Sequence, residues 1–188
     1  MSFFNRSLFL VICSIALASC GYHVEHQESP LSGYSTITVP YIIGDTDGSF
    51  TPVLVRELVR SGAFQYRAHD GVLQLNVAIV DVRDENIGFN YDRKKRGKRT
   101  KDVIPTESRV IATVEVSVTE RGTCRQLLGP ARITASVDYD HDYYFSRNGV
   151  NVFSLGQLID IDSAYDAVQT PLQELLARKI VDFVNQSW

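Results

Sequence analysis

The stretch that decides the fold is VIATVEVSVT, residues 110–119. Apolar side chains recur at every second position from Val110 to Val118, and threonine, glutamate and serine fill most of the positions between them. Because successive side chains of a strand point to opposite faces of its sheet, this period of two predicts a β-strand with one buried face. The apolar face of such a strand has to be covered by another layer of structure.

Two further stretches alternate in the same way and predict neighbouring strands. Apolar and polar residues alternate over residues 73–79 and again over residues 131–139. After the first of these stretches the apolar phase slips to Val80 and Val82, as a β-bulge would cause. These three stretches therefore predict the body of an antiparallel sheet.

Shorter segments complete the predicted sheet. The turn residues Arg121-Gly122-Thr123 and Gly129-Pro130 punctuate the connection between the last two long strands, which predicts an antiparallel hairpin with a loop. Residues 36–42 are β-branched and alternating, and Pro40 suggests an edge position or the end of that strand. Residues 64–68 are a further short strand candidate.

Two amphipathic segments predict helices. Thr51 as N-cap and Pro52 as first helical residue would open a helix that ends at Gly62. The pair Thr170-Pro171 repeats this start for a C-terminal helix. A single helix over residues 163–185, kinked at its internal proline, is the alternative.

The order of these elements and the composition together predict the fold class. Strand, helix, antiparallel strands and helix indicate α+β, as a two-layer sandwich of two helices on one face of a mainly antiparallel sheet of about four strands. The chain has 188 residues, of which 44% are hydrophobic and 22% charged, so we expect a single domain over residues 36–188. The net charge of -3 gives no general attraction to nucleic acid.

The N-terminus has the pattern of a bacterial lipoprotein signal. The apolar run over residues 8–18 would span about 16 Å as a helix, too little to cross a bilayer. It ends in Leu17-Ala18-Ser19-Cys20-Gly21, where two small residues precede a cysteine. This lipobox predicts that residues 1–19 are removed, that Cys20 is lipidated, and that residues 20–35 tether the fold to a membrane. An ordinary secretory signal with a chance cysteine is the alternative.

Cleavage and acylation would leave one free thiol. Cys13 would be lost with the signal and Cys20 would carry lipid, so Cys124 has no partner for an intramolecular disulfide. We expect Cys124 to be an inert or partly buried thiol, and pairing with another protein is the alternative.

A strongly basic segment lies between the first two long strands. It holds seven cations in nine positions and no acidic residue: Arg93, Lys94, Lys95, Arg96, Lys98, Arg99 and Lys101. Such a cluster attracts a polyanion, and arginine can clamp a phosphate in bidentate fashion. If the signal is used, nucleic acid is excluded as a partner, and the polyanions at hand are phospholipid headgroups and lipopolysaccharide. A solvated loop tip and a hairpin arm reaching into a partner protein are the alternatives.

No arrangement of residues indicates an enzyme. Nucleophile-elbow, P-loop, dinucleotide-binding and HExxH motifs do not occur. In the polar cluster DYDHDYY, residues 138–144, Asp138, Asp140 and Asp142 would share one face of a strand and His141 the other. We therefore expect an exposed acidic face, no catalytic residue, and neither a metal site nor another cofactor. A periplasmic hydrolase built on Asp138–Asp142 is the alternative.

Together these features resemble the LptE family of lipopolysaccharide-assembly lipoproteins. The lipobox followed by Tyr22 and His23, a first strand over Ile37–Tyr41, and a helix ending in Arg56–Phe64 are similar to that family's order of elements. Further sheet strands and a closing amphipathic helix follow, so the resemblance covers essentially the whole chain after Cys20.

The resemblance implies a function at the outer membrane. Members of the family plug the large β-barrel LptD, assist its assembly, and bind lipopolysaccharide during delivery to the outer leaflet. Their basic side chains near strand ends contact the glycolipid phosphates, which maps onto residues 93–101 as a region. Gly21 stands where an inner-membrane retention signal would prefer aspartate, and this favours a periplasm-facing protein of the outer membrane. The polar outer faces of the strands suit a polar barrel lumen. The alternative is another periplasm-facing outer-membrane lipoprotein that acts as a binding or scaffold module.

Overall fold

The fold is seen in a computed structural model. It describes residues 30–93, 99–141, 146–147, 150–151 and 161–186. In chain order the elements are β1 (Thr36–Thr38), α1 (Phe50–Ser61), β2 (Gln65–Tyr66), β3 (Leu73–Arg93), β4 (Arg99–Glu120), β5 (Arg125–Asp140), β6 (Ser146–Arg147), β7 (Val150–Asn151) and α2 (Ile161–Asn185). The predicted signal peptide, the lipobox with Cys20, and Asp142 lie outside the described residues.

The main sheet has five strands in the order β2-β1-β3-β4-β5. The three long strands β3, β4 and β5 are antiparallel, whereas β1 runs parallel to both of its neighbours, β2 and β3. The α+β class with two helices is therefore confirmed, and the prediction of about four, mainly antiparallel strands is corrected to a five-stranded mixed sheet. The parallel part arises because the chain leaves β1, passes through α1 and returns as β2, and a crossover helix makes two strands parallel.

The register of the long strands explains the change in apolar phase after residue 79. Ile79 lies opposite Val114 and Asp81 opposite Thr113, so one extra residue is accommodated in β3. This irregularity confirms the predicted β-bulge. After it, Val82 again occupies the helix-facing position, opposite Ala112.

The connection between β4 and β5 is tighter than the sequence suggested. A four-residue turn, residues 121–124, joins the strands, and Gly129-Pro130 lies inside β5 rather than in the connection. Gly129 has φ +78°, and a Cβ there would clash with the carbonyl oxygen of Val116. Glycine is required at this point because the backbones of β4 and β5 come too close for a side chain.

Helix α1 is capped from a preceding loop and not by the residue that the sequence suggested. Its N-cap is Ser49, whose side chain makes no capping hydrogen bond, so the prediction of Thr51 as N-cap is wrong. Instead, the Asp45 carboxylate accepts hydrogen bonds from the Phe50 amide at 3.2 Å and the Thr51 amide at 2.8 Å. Two of the otherwise unpaired amides at the start of the helix are satisfied in this way.

Helix α2 runs unbroken from Ile161 to Asn185, with Pro171 inside it. Of the two predicted alternatives, the single helix is therefore confirmed, and a new start at residue 170 is not seen. Pro171 lies on the exposed side of α2. Water can reach the backbone carbonyl that loses its hydrogen bond there, so the helix tolerates the proline.

One hydrophobic core lies between the helices and the sheet. The helices pack against each other, and α2 covers β4 and β5. The buried hydrophobic side chains of β4 are those predicted from the alternating pattern: Val110, Ala112, Val114, Val116 and Val118. The opposite face of the sheet carries polar side chains, so the two faces of the sheet differ in polarity.

Candidate functional site

The basic segment lies at the far end of a long two-stranded arm. The last pair between β4 and β5 is Glu107 with Asp140. Beyond it, β3 and β4 continue to pair with each other as far as Arg93 opposite Arg99. We call this extension, residues 88–93 and 99–105, the arm. At about 3.3 Å per residue, the eight steps along β4 from Glu107 to Arg99 span at most roughly 26 Å.

The arm gathers several of the predicted anion-binding residues at one end. Arg93 ends β3, and Arg99 and Lys101 lie on β4, so these three belong to strands and not to a loop. Lys94, Lys95, Arg96 and Lys98 lie outside the described residues. The register places Arg93 directly opposite Arg99.

A buried polar junction joins three strands where the arm leaves the sheet. The Ser108 hydroxyl on β4 lies 2.9 Å from the Asn86 side-chain oxygen on β3 and 2.9 Å from His141 Nε2 after β5. Ser108 and His141 are both fully buried, and the His141 amide donates to the Thr106 carbonyl at 3.1 Å. We call Asn86, Ser108 and His141 the polar junction. It links β3, β4 and the residue after β5 at the point where the arm begins.

Two side chains at the polar junction are buried: Tyr139 beside it and His141 within it. The Tyr139 hydroxyl donates to the Asp84 carboxylate at 2.8 Å. Burial and then the hydrogen bond to Asp84 raise the pKa of Tyr139 to about 12. His141 Nδ1 is buried and has no hydrogen-bond partner among the described residues. Sequence analysis missed this junction, because buried polar residues are specified by their partners and leave no periodic signal.

Ion pairs link the strands across the outer face of the sheet. Arg109 on β4 donates to both carboxylate oxygens of Asp138 on β5, at 2.6 and 2.8 Å. These bonds lower the pKa of Asp138 and raise the pKa of Arg109. Arg132 lies 3.9 Å from Glu115, and the hydroxyls of a cross-strand threonine pair lie 3.0 Å apart. The face is therefore polar and internally paired.

The acidic cluster is arranged as the sequence predicted for its described part. Asp138 and Asp140 are exposed on the outer face, and His141 is buried on the other side. Within the described residues, no group of three or more His, Cys, Asp or Glu side chains is placed to hold a metal ion. The Ser108–His141 pair resembles a nucleophile and its base in distance, but both side chains are closed off from substrate by burial.

The other end of the sheet receives the N-terminal segment. Within the predicted tether, Leu31 is buried and the Tyr34 hydroxyl donates to Glu120 at 2.9 Å. Hydrogen bonds from Thr123 and Tyr34 lower the pKa of the Glu120 carboxyl. Glu120 ends β4 and Arg99 begins it, so the chain enters the fold at one end of this strand and the arm ends at the other.

Two features remain to be described: the thiol of Cys124 and the helices as candidate membrane spans. Cys124 is an exposed free thiol in the β4–β5 turn with φ +55°, so the prediction of partial burial is wrong. Within the described residues, no helix is both long and apolar enough to span a membrane.

The fold and its two ends define an α+β domain that carries a long basic arm. A family model described as "LptE: Lipopolysaccharide-assembly" matches residues 34–184. The chain therefore belongs to the LptE family of lipopolysaccharide-assembly lipoproteins, as the resemblance predicted. A comparison with curated proteins found no match.

Several solved structures are similar to the chain at low identity. A minor lipoprotein from Acinetobacter baumannii is 12% identical, with a TM-score of 0.43, and the match covers 82% of this chain and 90% of that one. Rare lipoprotein B from Shewanella oneidensis is 14% identical, with a TM-score of 0.44, covering 81% and 92%. Lipoprotein B from Nitrosomonas europaea is 10% identical, with a TM-score of 0.42, covering 82% and 86%. The family assignment rests on the family model and not on these distant likenesses.

Proposed function

We propose that this chain is an outer-membrane lipoprotein that plugs and helps to assemble an LptD β-barrel and binds lipopolysaccharide during its insertion into the outer leaflet. The observation that carries the proposal is the LptE family match over residues 34–184. In this proposal residues 1–19 are removed, Cys20 carries the lipid anchor, residues 20–35 form the tether, and residues 36–188 form a periplasm-facing domain. No enzyme activity and no cofactor is part of the proposal.

The length of β4 supports a role across the membrane. Its 22 residues separate the end that receives the N-terminal segment from the end that carries the basic residues. At about 3.4 Å per residue, a straight strand of this length spans roughly 70 Å, against about 30 Å for the hydrocarbon core of a bilayer. An arm directed along the lumen of a barrel would therefore reach the outer leaflet while the lipid stays in the inner one.

The surface of the sheet supports the plug part of the proposal. Its outer face is polar and paired across strands, as between Arg109 and Asp138. A barrel that encloses a plug has a polar, hydrated lumen, so this face would enter it without burying unpaired apolar area.

The basic residues supply the proposed glycolipid site. Phosphates of lipopolysaccharide would meet seven cations around the end of the arm: Arg93, Lys94, Lys95, Arg96, Lys98, Arg99 and Lys101. Because the backbone register opposes Arg93 and Arg99, a phosphate between them would be bound by charges from both strands.

Co-purification tests the plug. The chain, tagged after Trp188, is isolated from its native membranes in mild detergent. We expect a stoichiometric, heat-modifiable barrel of the LptD type. Recovery of the lipoprotein alone, or with a periplasmic enzyme, would contradict the plug and favour the second candidate, a binding or scaffold module for another envelope complex.

Charge removal tests the glycolipid site separately. Replacing Arg93, Lys94, Lys95 and Arg96 by serine should weaken lipopolysaccharide binding at physiological salt. A matched control loses four exposed arginines outside the arm: Arg60, Arg67, Arg121 and Arg178. Equal affinity of the arm variant and the unchanged chain would remove the arm from the proposed site.

A further inference from the structure

Beyond residue 79, the side of β3 that faces away from β4 has no partner strand in the part of the chain that the structure describes. Beside β1, the isolated residue Ile43 pairs with Ala78, and beyond this bridge the described residues leave that side of β3 unpaired. We call the side of residues 80–86 that faces away from β4 the open edge. Proteins usually shorten, cover or charge such edges, because they pair readily with other strands.

Backbone groups of the open edge point away from the sheet. Ile43 donates to the Val77 carbonyl at 3.1 Å, and the Ile79 amide donates to the Ile43 carbonyl at 2.8 Å. Val77 and Ile79 therefore direct their amides and carbonyls away from β4. Past the bulge, alternation along the strand gives Val82 and Asp84 the same direction. Their unpaired groups are a template for an added strand.

A cleft lies directly beside the open edge, on its helix-facing side. It has a volume of about 270 Å³ and is bordered by Ile79 and Val82 of β3, Phe50 of α1, and Leu172 and Leu176 of α2. Val82 is 47% exposed, which is unusual for a helix-facing valine of this sheet. A strand added at the edge would direct every second side chain toward this cleft, and such pockets give strand addition its specificity.

The charge around the open edge selects the kind of partner. Asp47 lies on the rim of the cleft, and three further carboxylates lie along the edge, on Asp81, Asp84 and Glu85. Arg83 stands among them, 3.6 Å from Asp81 and 2.9 Å from Glu85, and Arg109 of β4 lies opposite Glu85 but is itself paired with Asp138. A second copy paired edge to edge would oppose two acidic surfaces, which is unfavourable. A basic segment is complementary to this edge.

We propose that the open edge of β3 binds an extended segment of a partner protein by strand addition, with basic side chains alternating with apolar ones that enter the cleft beside Val82. This goes beyond the proposed function, since it involves neither the basic arm nor lipopolysaccharide. Main-chain hydrogen bonds to Val82 and Asp84 supply affinity, and the cleft and the carboxylates supply selectivity.

A designed peptide tests the proposal directly. A fluorescent peptide of alternating lysine and valine is titrated into the full chain in detergent and followed by anisotropy. Val82→Pro removes an amide that points to the open edge and not to β4, and its ring blocks an added strand. We expect binding at least roughly tenfold weaker in Val82→Pro than in the unchanged chain, and a clearly smaller loss in Val82→Thr, which keeps the amide and changes only the side chain at the cleft. Circular dichroism checks that each variant is folded.

Charge reversal gives a second readout, which does not depend on the proline variant folding. Asp81→Lys with Glu85→Lys should shift the preference from the lysine–valine peptide to a glutamate–valine peptide. Glu115→Lys, on the outer face away from the edge, is the control and should keep the original preference. Equal binding by a folded Val82→Pro chain, no preference between the two peptides, or self-association through this edge in place of peptide binding would each overturn the proposal.

Discussion

Asp45 is the residue on which the start of α1 depends. It is 3% exposed, and its carboxylate accepts three hydrogen bonds, from the Phe50 amide, the Thr51 amide and the Thr51 hydroxyl. Asp45→Asn keeps the shape of the side chain but replaces one carboxylate oxygen by an NH₂ group. That group cannot accept a hydrogen bond and would face the donors of Phe50 or Thr51. We expect a loss of about 1–3 kcal/mol in the free energy of unfolding, measured by urea denaturation.

The neighbouring aspartate provides the control for this substitution. Asp47 is exposed and accepts hydrogen bonds from the Ser49 amide and hydroxyl, which lower its pKa. Water can replace the carboxylate there, so Asp47→Asn should cost much less stability than Asp45→Asn. Equal losses would show that the Asp45 carboxylate does not cap the helix.

The raised pKa of Tyr139 predicts that the stability of the folded chain depends on pH in the alkaline range. The pKa of Tyr139 is raised from the ordinary tyrosine value of 10.0 to about 12 in the folded chain, so folding favours the protonated phenol. The stability contributed by this group is complete below pH 10 and falls as pH rises toward 12. Ultraviolet titration of tyrosine ionisation should show one group near pKa 12 that is absent in Tyr139→Phe. A high-pH transition that survives in Tyr139→Phe would contradict the assignment.

At the scale of elements, the polar junction holds β3, β4 and β5 together where the arm begins. Ser108→Ala would leave the Asn86 side-chain oxygen and His141 Nε2 without their shared partner, and Ser108 and His141 are fully buried. We expect a loss of about 1–3 kcal/mol in the free energy of unfolding, because a buried polar group without a partner keeps its full desolvation cost.

A threonine on the outer face is the control for the junction. Thr113 lies in the same strand as Ser108, and its hydroxyl is 3.0 Å from that of Thr134, with both exposed enough to be reached by water. Thr113→Ala should therefore change stability by less than about 0.5 kcal/mol. Similar unfolding free energies for the Ser108 and Thr113 variants would argue against a structural role for the junction.

Sequence patterns predicted the strands that have one buried and one solvent-exposed face. Alternation over residues 110–119 and 131–139 predicted β4 and β5 because helices cover one side of each strand. The full length of β3 and β4 was not predicted, since Phe89 and Val103 of the arm are exposed and no buried face imposes a period of two there.

Other parts of the fold and site left no readable pattern. The strands β1 and β2 lie within the predicted segments 36–42 and 64–68, but segments so short do not indicate that β1 runs parallel to both of its neighbours. Asp45 and His141 are polar residues buried by contacts made in the folded molecule, which local propensity does not encode. The sequence shows directly where the seven basic residues lie along the chain. It does not show that Arg93 and Arg99 lie opposite each other, because this depends on the register of β3 and β4.

In the molecule as a whole, the residues of the hydrophobic core are spatially separate from the proposed glycolipid site. The buried hydrophobic residues of the described chain lie between the helices and the sheet, and none of them belongs to the arm. The arm's described side chains, such as Phe89 and Val103, are about half exposed. The arm therefore contributes little to the core, whereas its charges are the proposed contacts to lipopolysaccharide.

Removing the arm should separate these two properties. When residues 89–104 are replaced by an Asn-Gly turn that joins Gly88 to Pro105, we expect a folded domain with a Tm within about 4 °C of the unchanged chain. Lipopolysaccharide binding should fall at least roughly tenfold, as several phosphate contacts are lost. Circular dichroism and a lipopolysaccharide titration measure the two effects on the same sample.

Comparison with the four-serine variant of the arm decides why the binding falls. That variant keeps the arm but removes four of the seven basic residues, so equal losses in both variants would attribute binding to charge. A loss confined to the arm deletion would attribute binding to the reach of the arm along the axis of β4. Retained affinity after deletion would place the glycolipid contact elsewhere on the domain, and an unfolded product would show that the sheet depends on the arm for stability.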